Sequence, residues 1–521
     1  MSEPLSAPIR IESYVEERWV AGEGPGSTLV NPATGEALAT ASTTGIDLGA
    51  ALRHAREVGG PALRALNFAQ RAGILKGLAG AIKEHRDELL SLAMKNGGNT
   101  KGDAKFDVDG ASGTLAFYAN LGRGLGEARY LLDGEAVPLG RATPLAGRHV
   151  WVPRRGAAVL VNAYNFPAWG FAEKVACAFL AGMPVVVKPA TQTALVAWRI
   201  ARLFVDSSLL PAGGWTFLAG PAGDLLDHLE AQDVLAFTGS AATGAKMRAH
   251  PRVLEKGVRV NVEADSLNAA VLGPDVAPGS PTWELFVKEV VHEMTQKAGQ
   301  KCTATRRVFV PRERLQAARA ALVGKLGEVR VGDPADEGVG MGPVVSDGQR
   351  RDVEAGVAEI ARGAAVAWTG EAPSGNGFVA ARLLVAEDPR AAAAVHRREV
   401  FGPVATLMAY DGTAEEAGEL VGLGEGSLVS SVYSDDAEFV AAATLAMAPF
   451  NGRVYIGAAE VAAEALGPGT VLPGLVHGGP GRAGSGEELG GLRGLHHYMQ
   501  RTAVQGPKAV LDRIGSEGVA G

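Results

Sequence analysis

AAVLVNAYNFPAWGFAEKVACAFLAGMPVVVKPAT (Ala157–Thr191) sets the fold class of this chain. The apolar run Ala157–Asn162 predicts a strand, Ala168–Ala181 a helix, and Pro184–Lys188 a second strand. Strands that are apolar throughout, rather than alternating, belong to parallel sheets covered by helices on both faces. The alternation continues outward. A helix over Ala194–Ser207, a strand over Thr216–Ala219, a helix over Leu225–Glu230, a strand over Val234–Thr238 and a helix over Gly244–His250 are expected. Upstream, residues 46–125 read as helical and 131–152 as short extended pieces broken by Gly and Pro. Downstream, a second α/β segment runs from about Asp265 to Thr470, and His496–Val504 reads as a late strand able to pair across a subunit boundary. The class is therefore α/β.

Parallel sheets bind ligands outside the carboxyl ends of their strands, so the polar segments at those ends carry the candidate chemistry. Asn165, in Asn-Ala-Tyr-Asn-Phe-Pro, offers an amide to an oxyanion; as a plain alternative it caps the next helix. Lys188 ends an apolar strand, either to meet a ribose or phosphate or simply to be solvated. Phe237–Gly244 (FTGSAATG) passes from strand through Gly239 and Ser240 into a helix, whose first N–H groups suit phosphate oxygens. It is neither a Gly-x-Gly-x-x-Gly fingerprint nor a P-loop, since Ala245 stands where the latter needs Lys. Glu263 ends the β-like run Val260–Glu263 as a general base or a salt-bridged structural group. Cys302, in Gly-Gln-Lys-Cys-Thr, lies between a helix expected over Trp283–Ala298 and a strand over Arg307–Pro311. It is a nucleophile whose thiolate nearby N–H groups would stabilise, or an inert buried thiol. Glu399 and Phe401, in Arg-Glu-Val-Phe-Gly-Pro-Val, could meet ribose hydroxyls and a flat ring, or form a buried turn. Cys177, amid Val-Ala-Cys-Ala-Phe-Leu, reads as core.

Composition narrows the classes. A chain of 521 residues implies two or three domains. A net charge of −7 without a long basic cluster argues against nucleic acid as a partner. Only two cysteines suit a reducing compartment. Met1–Glu17 lacks the apolar segment of a secretory signal, and no apolar run reaches membrane-spanning length, so a cytoplasmic location is expected. His477, His496 and His497 have no second ligand cluster at metal-site spacing, so no metal is expected.

Taken together and in order, Asn-Phe-Pro at Asn165, Val-Val-Lys-Pro-Ala at Lys188, Phe-Thr-Gly-Ser at Ser240, Glu263, Gly-Gln-Lys-Cys at Cys302, Glu-Val-Phe-Gly-Pro-Val at Glu399 and the glycine-rich Gly478–Gly486 make the chain resemble the aldehyde dehydrogenase superfamily. The resemblance covers nearly the full length and is clearest from Val152 to Gly491. It implies a Rossmann-like cofactor domain (1–130 and 153–264), an α/β catalytic domain (265–475) and a small β oligomerisation arm (131–152 and 495–521), in a homodimer or tetramer. It implies Cys302 as nucleophile, Asn165 with the Cys302 backbone N–H as oxyanion hole, and Glu263 as the base that activates water. Lys188, Thr191, Gly239, Ser240, Glu399 and Phe401 would hold the cofactor. The reaction implied oxidises an aldehyde to an acid through a thiohemiacetal and a thioester.

Two departures stand out. Ala-Asp-Ser-Leu-Asn follows Glu263 where the family commonly has Leu-Gly-Gly-Lys-Ser-Pro, which blurs the alignment there. Thr191 occupies the position where NAD-preferring members carry Glu; without that repelling carboxylate, NADP is expected, with NAD as the weaker substitute. The wording around Asn162–Pro167 and Val262–Asn268 resembles a small branch acting on ring-cleavage semialdehydes, 3,4-dehydroadipyl-CoA semialdehyde of aerobic benzoate breakdown among them. Two alternatives remain open: a CoA-acylating dehydrogenase, against which Glu263 speaks, and a non-catalytic binding descendant.

Overall fold

The strands Ala158–Val161 and Val185–Lys188 pair in parallel inside a seven-stranded sheet of this protein, described by a computed structural model. Residues 8–141 and 144–521 are described. Met1–Ala7, part of the segment expected to lack a leader, and Ala142 and Thr143, within the expected arm, lie outside the described residues. Strand order runs Arg259–Glu263, Val234–Thr238, Ala158–Val161, Val185–Lys188, Trp215–Phe217 and then the edge hairpin Ser13–Val15/Arg18–Val20. The first five strands are parallel and the hairpin joins antiparallel. From Ala158–Val161 the chain adds strands on one side, then returns to add Val234–Thr238 on the other. The crevice at that reversal, beyond Val161 and Thr238, is where such sheets take ligands.

The helix Trp169–Ala181 covers this sheet. Its first N–H groups are satisfied by a buried carboxylate: Trp169 and Ala168 donate to Asp107 at 2.7 and 3.3 Å. Gly182, at φ +92°, ends it in the left-handed conformation that glycine adopts without strain. Cys177, on this helix, is buried in the apolar core as expected.

The second segment forms another seven-stranded sheet, ordered Ala365–Thr369, Arg382–Ala386, Val404–Tyr410, Arg307–Pro311, Ala269–Leu272, Ser427–Tyr433, Asn451–Gly457. It is parallel except at the first edge. A third sheet joins Leu131–Pro138, Leu145–Pro153, Met499–Pro507 and Val519–Ala520. Among the described residues no helix is long and apolar enough to cross a membrane.

Several elements differ from expectation. The helix expected from Gly244 starts at Ala241, because Ser240 accepts from the Thr243 N–H and Asp265 from the Ala241 N–H at 2.9 Å. The helix expected over Leu225–Glu230 is one 3-10 turn, Leu225–His228. The helix before Cys302 spans Pro281–Thr295; Lys297 and Ala298, both at φ +53°, break it. The late strand begins at Met499, because Arg493–His496 is helical, and it pairs with Leu145–Pro153 of the same chain. The strands between Ile9 and Ala41 had no clear signal, being short and half-exposed.

Candidate active site

Each site residue is delivered by the end of an element. Asn162 and Asn165 follow the strand Ala158–Val161, Thr238 ends its neighbour, and Glu263 ends the next. Cys302 comes from the other segment, on a loop tied down from two sides. Asn268 donates to the Cys302 and Ala304 carbonyls at 2.8 and 2.9 Å, and its own oxygen accepts from Ser266 and the Val429 N–H. Arg306 donates to the carbonyls of Gly299, Lys301 and Gly402 at 2.8, 3.2 and 2.7 Å. A Cβ at Gly299 would sit 2.1 Å from the Gly402 oxygen, so only glycine lets the two motif loops touch. Asn268 therefore anchors the thiol loop. Arg306 is buried and satisfies three carbonyls at once. Arg306→Ala should cost about 3 kcal/mol, read as a lowered urea midpoint, because those acceptors lose their partner in the interior. A loss within about 0.5 kcal/mol, the range of ordinary surface substitutions, would remove it from this role.

Two cavities meet at the thiol. One, a narrow cavity with about 30 Å³ of free space, is walled by Phe106, Phe166, Trp169 and Val471. The other, a cleft of about 580 Å³, is lined by Lys188, Gly239, Ser240, Glu399 and Phe401. Asn162, Asn165, Thr238, Glu263 and Cys302 line both. The structure thus brings together eight of the nine residues singled out in the sequence. Thr191 opens a turn beyond Lys188, half-buried, and is not among the residues that line the cleft.

The cleft is chemically incomplete without a polar ligand. Burial, with no compensating carboxylate, pushes the Lys188 ammonium down to about 8. Burial also pushes the Glu399 carboxyl up to about 8, against the pull of Arg306 at 3.8 Å, and its Oε1 has no hydrogen-bond partner. Both side-chain polar atoms of Asn162 are buried without partners. Phe401 stands edge-on to Tyr164. A ribose hydroxyl, a phosphate and a flat ring would satisfy this set, so the residues fit a dinucleotide.

Around the thiol the electrostatics were not foreseen. His477 approaches Cys302 Sγ to 3.9 Å and Glu263 Oε1 to 3.3 Å. It stands on the hairpin Val476–Gly479/Gly486–Leu489, directly across from Glu488. Burial opposes the Glu263 charge, but His477 and Lys174 outweigh it and hold the carboxyl below its usual range. Burial likewise opposes charge on His477, and Glu263 raises it. Burial and Glu263 together push the Cys302 thiol well up. The sequence points to a thiolate supported by backbone N–H groups; here burial first, and the Glu263 carboxylate second, favour the protonated thiol instead. Behind Glu263, Lys174 donates to Thr238 and Glu488 at 2.6 and 2.8 Å, and Thr238 reaches Glu263 Oε2 at 3.5 Å. Sequence reasoning missed Lys174, Glu488 and His477. Glu173-Lys174 inside an otherwise apolar helix was the available signal, since a buried helix keeps charges only when they are paired.

This geometry has counterparts. The profile of the aldehyde dehydrogenase family matches residues 19–504. The chain is 44% identical over 480 residues, 91% of its length and 93% of the relative's, to 3,4-dehydroadipyl-CoA semialdehyde dehydrogenase of Aromatoleum evansii. It is 27% identical to the NADP(+) succinate-semialdehyde dehydrogenase GabD of Escherichia coli K12, over 78% of this chain and 82% of that one. The crystal structure of lactaldehyde dehydrogenase from Escherichia coli superposes with a TM-score of 0.83 at 24% identity, covering 96% of this chain and 99% of that one, and so shares the fold. Profile, relatives and a thiol at the junction of two cavities agree: this chain is an oxidoreductase belonging to the aldehyde dehydrogenase family.

Proposed function

We propose that the protein oxidises a semialdehyde, carried on coenzyme A, to the carboxylic acid with NADP+. The observation that carries this reading is the meeting of the two cavities at Cys302, with Asn165 and Glu263 facing the same space. Cys302 gives up its thiol proton to water at the cavity junction, and Sγ adds to the aldehyde carbon to form a thiohemiacetal. The Asn165 amide and the Cys302 backbone N–H donate to the oxygen as it gains charge. A nicotinamide cofactor, when bound in the cleft, supplies the hydride acceptor that leaves a thioester on Sγ. Glu263 then takes a proton from water, the hydroxyl adds to the thioester carbon, the C–S bond breaks, and the acid departs as the sulfur regains its proton. Lys188, Ser240, Glu399 and Phe401 hold the dinucleotide. The cofactor domain is built on the first sheet, the catalytic domain on the second, and the third sheet is the arm through which copies assemble.

NADP+ is supported by the residue type at Thr191, beyond the cleft lining, which lacks the carboxylate of NAD-preferring members, and by the cofactor named for the GabD relative. The CoA-linked substrate is supported by the name of the Aromatoleum relative and by the aromatic wall of the smaller cavity. kcat/KM for free and CoA-linked semialdehydes, each with NADP+ and NAD+, tests the proposal; a preference for NAD+ or for short free aldehydes overturns it. Two variants sharpen the test. Asn165→Ala should lower kcat by about 10²–10³ with cofactor affinity intact, since one oxyanion donor is lost. Thr191→Glu should lower kcat/KM for NADP+ at least about tenfold while sparing NAD+, by introducing like-charge repulsion.

A further inference from the structure

Glu263, Cys302 and His477 come from a strand end, a loop and a hairpin, and their donor atoms lie within 4.8 Å of one another. No short-range spacing announces this group: Cys302 and His477 are 175 residues apart in sequence. The set is a sulfur, an imidazole nitrogen and a carboxylate oxygen, the ligand types of tetrahedral zinc sites. Bond lengths of about 2.3 Å to sulfur and about 2.0 Å to nitrogen or oxygen put tetrahedral ligand atoms about 3.3–3.6 Å apart. Here Nε2 stands 3.3 Å from Oε1 and 3.9 Å from Sγ.

The orientation of these atoms is informative as well. Oε1 of Glu263 has no hydrogen-bond partner, and the residue is 3% exposed. His477 Nε2 stands only 3.3 Å from that oxygen, so the two atoms border the same space. Behind the group, the buried Glu488 carboxylate is paired with Lys174 at 2.8 Å. Asn268 fixes the loop that carries the sulfur, and the pairing opposite Glu488 fixes the imidazole. The smaller cavity leaves room for a fourth ligand, water.

We propose that Glu263, Cys302 and His477 form a reversible binding site for a thiophilic divalent cation, Zn2+ by its ligand chemistry. Binding forms a metal–sulfur bond and releases the thiol proton to solvent, with no change of oxidation state. The metal occupies the thiol and carboxylate that the proposed aldehyde chemistry uses, so zinc acts as an off-switch. That consequence rests on the proposed function; the binding itself does not.

The test uses the full chain, stripped of metal by chelator, with Co2+ as the spectroscopic probe. One equivalent per chain should bind, giving a near-ultraviolet sulfur-to-cobalt band and the visible bands of a tetrahedral ion. Zn2+ should displace it and Mg2+ should not. Cys302→Ala should abolish the sulfur band, and His477→Gln should weaken binding at least about tenfold. Alkylation of Cys302 by iodoacetamide, followed by mass spectrometry, reads the same site without a variant: stoichiometric Zn2+ should protect it and chelator should restore reactivity. Failure of Zn2+ to protect Cys302, or a cobalt complex unchanged in Cys302→Ala, overturns the site. Binding by both readouts with no aldehyde oxidation under any condition leaves the site standing and overturns the dehydrogenase reading instead.

Discussion

Cys302→Ala should abolish aldehyde oxidation, a fall of at least about 10⁴ in kcat, while the dinucleotide still binds. The size follows from the chemistry proposed: without Sγ no thiohemiacetal forms, and no neighbouring group can replace it. Glu263 and His477 stand beside it, and neither gives an acyl intermediate that the site would hydrolyse. Cys302 touches only one end of the proposed cofactor cleft, whose polar and aromatic lining includes Lys188, Ser240, Glu399 and Phe401, so affinity for NADP+ should stay within about twofold, below 0.5 kcal/mol. Release of NADPH during steady state and nucleotide binding by calorimetry are the two measurements. Turnover above one part in a thousand would show that another group, or direct hydration of the aldehyde, carries the reaction.

Glu263→Gln should leave one fast turnover and suppress the rest. The first half of the reaction needs the sulfur and the oxyanion donors, which remain. The second needs a proton taken from water, which an amide does not accept. A burst of about one NADPH per site followed by a steady rate about 10²–10⁴ lower is expected, with the acyl group found on Cys302 by mass spectrometry. Adding free coenzyme A distinguishes the alternative release. If the thioester is then discharged at the wild-type rate, the enzyme is acylating and the hydrolytic reading fails. The substitution also removes the carboxylate that pushes both the Cys302 thiol and the His477 imidazole up. The burst itself should therefore be undiminished in amplitude.

Much of this was legible along the chain. The strands Ala158–Val161, Val185–Lys188 and Val234–Thr238 are runs of buried apolar residues, and short apolar runs between turn residues are a local pattern. Asn165, Lys188, Ser240 and Glu263 were found because a parallel sheet puts its ligands at strand ends, so their place follows from where each run stops. Helix limits were less legible. Ala241 starts its helix because Asp265, far along the chain, accepts its N–H, and Lys297 and Ala298 break theirs where Gly299 packs on Gly402.

The residues that surround the sulfur could not be read the same way. His477, Lys174 and Glu488 carry no periodic signal, and Asn268 and Arg306 act through carbonyls of other loops. A local pattern reports whether a segment is strand or helix and which face is apolar, because those properties depend on near neighbours. It does not report which buried polar groups meet, since that waits on the closing of segments separated by scores or hundreds of residues. Protonation follows the same rule. Whether the Cys302 sulfur rests as thiol or thiolate depends on desolvation and on the field of Glu263, and both exist only once the two sheets have packed together.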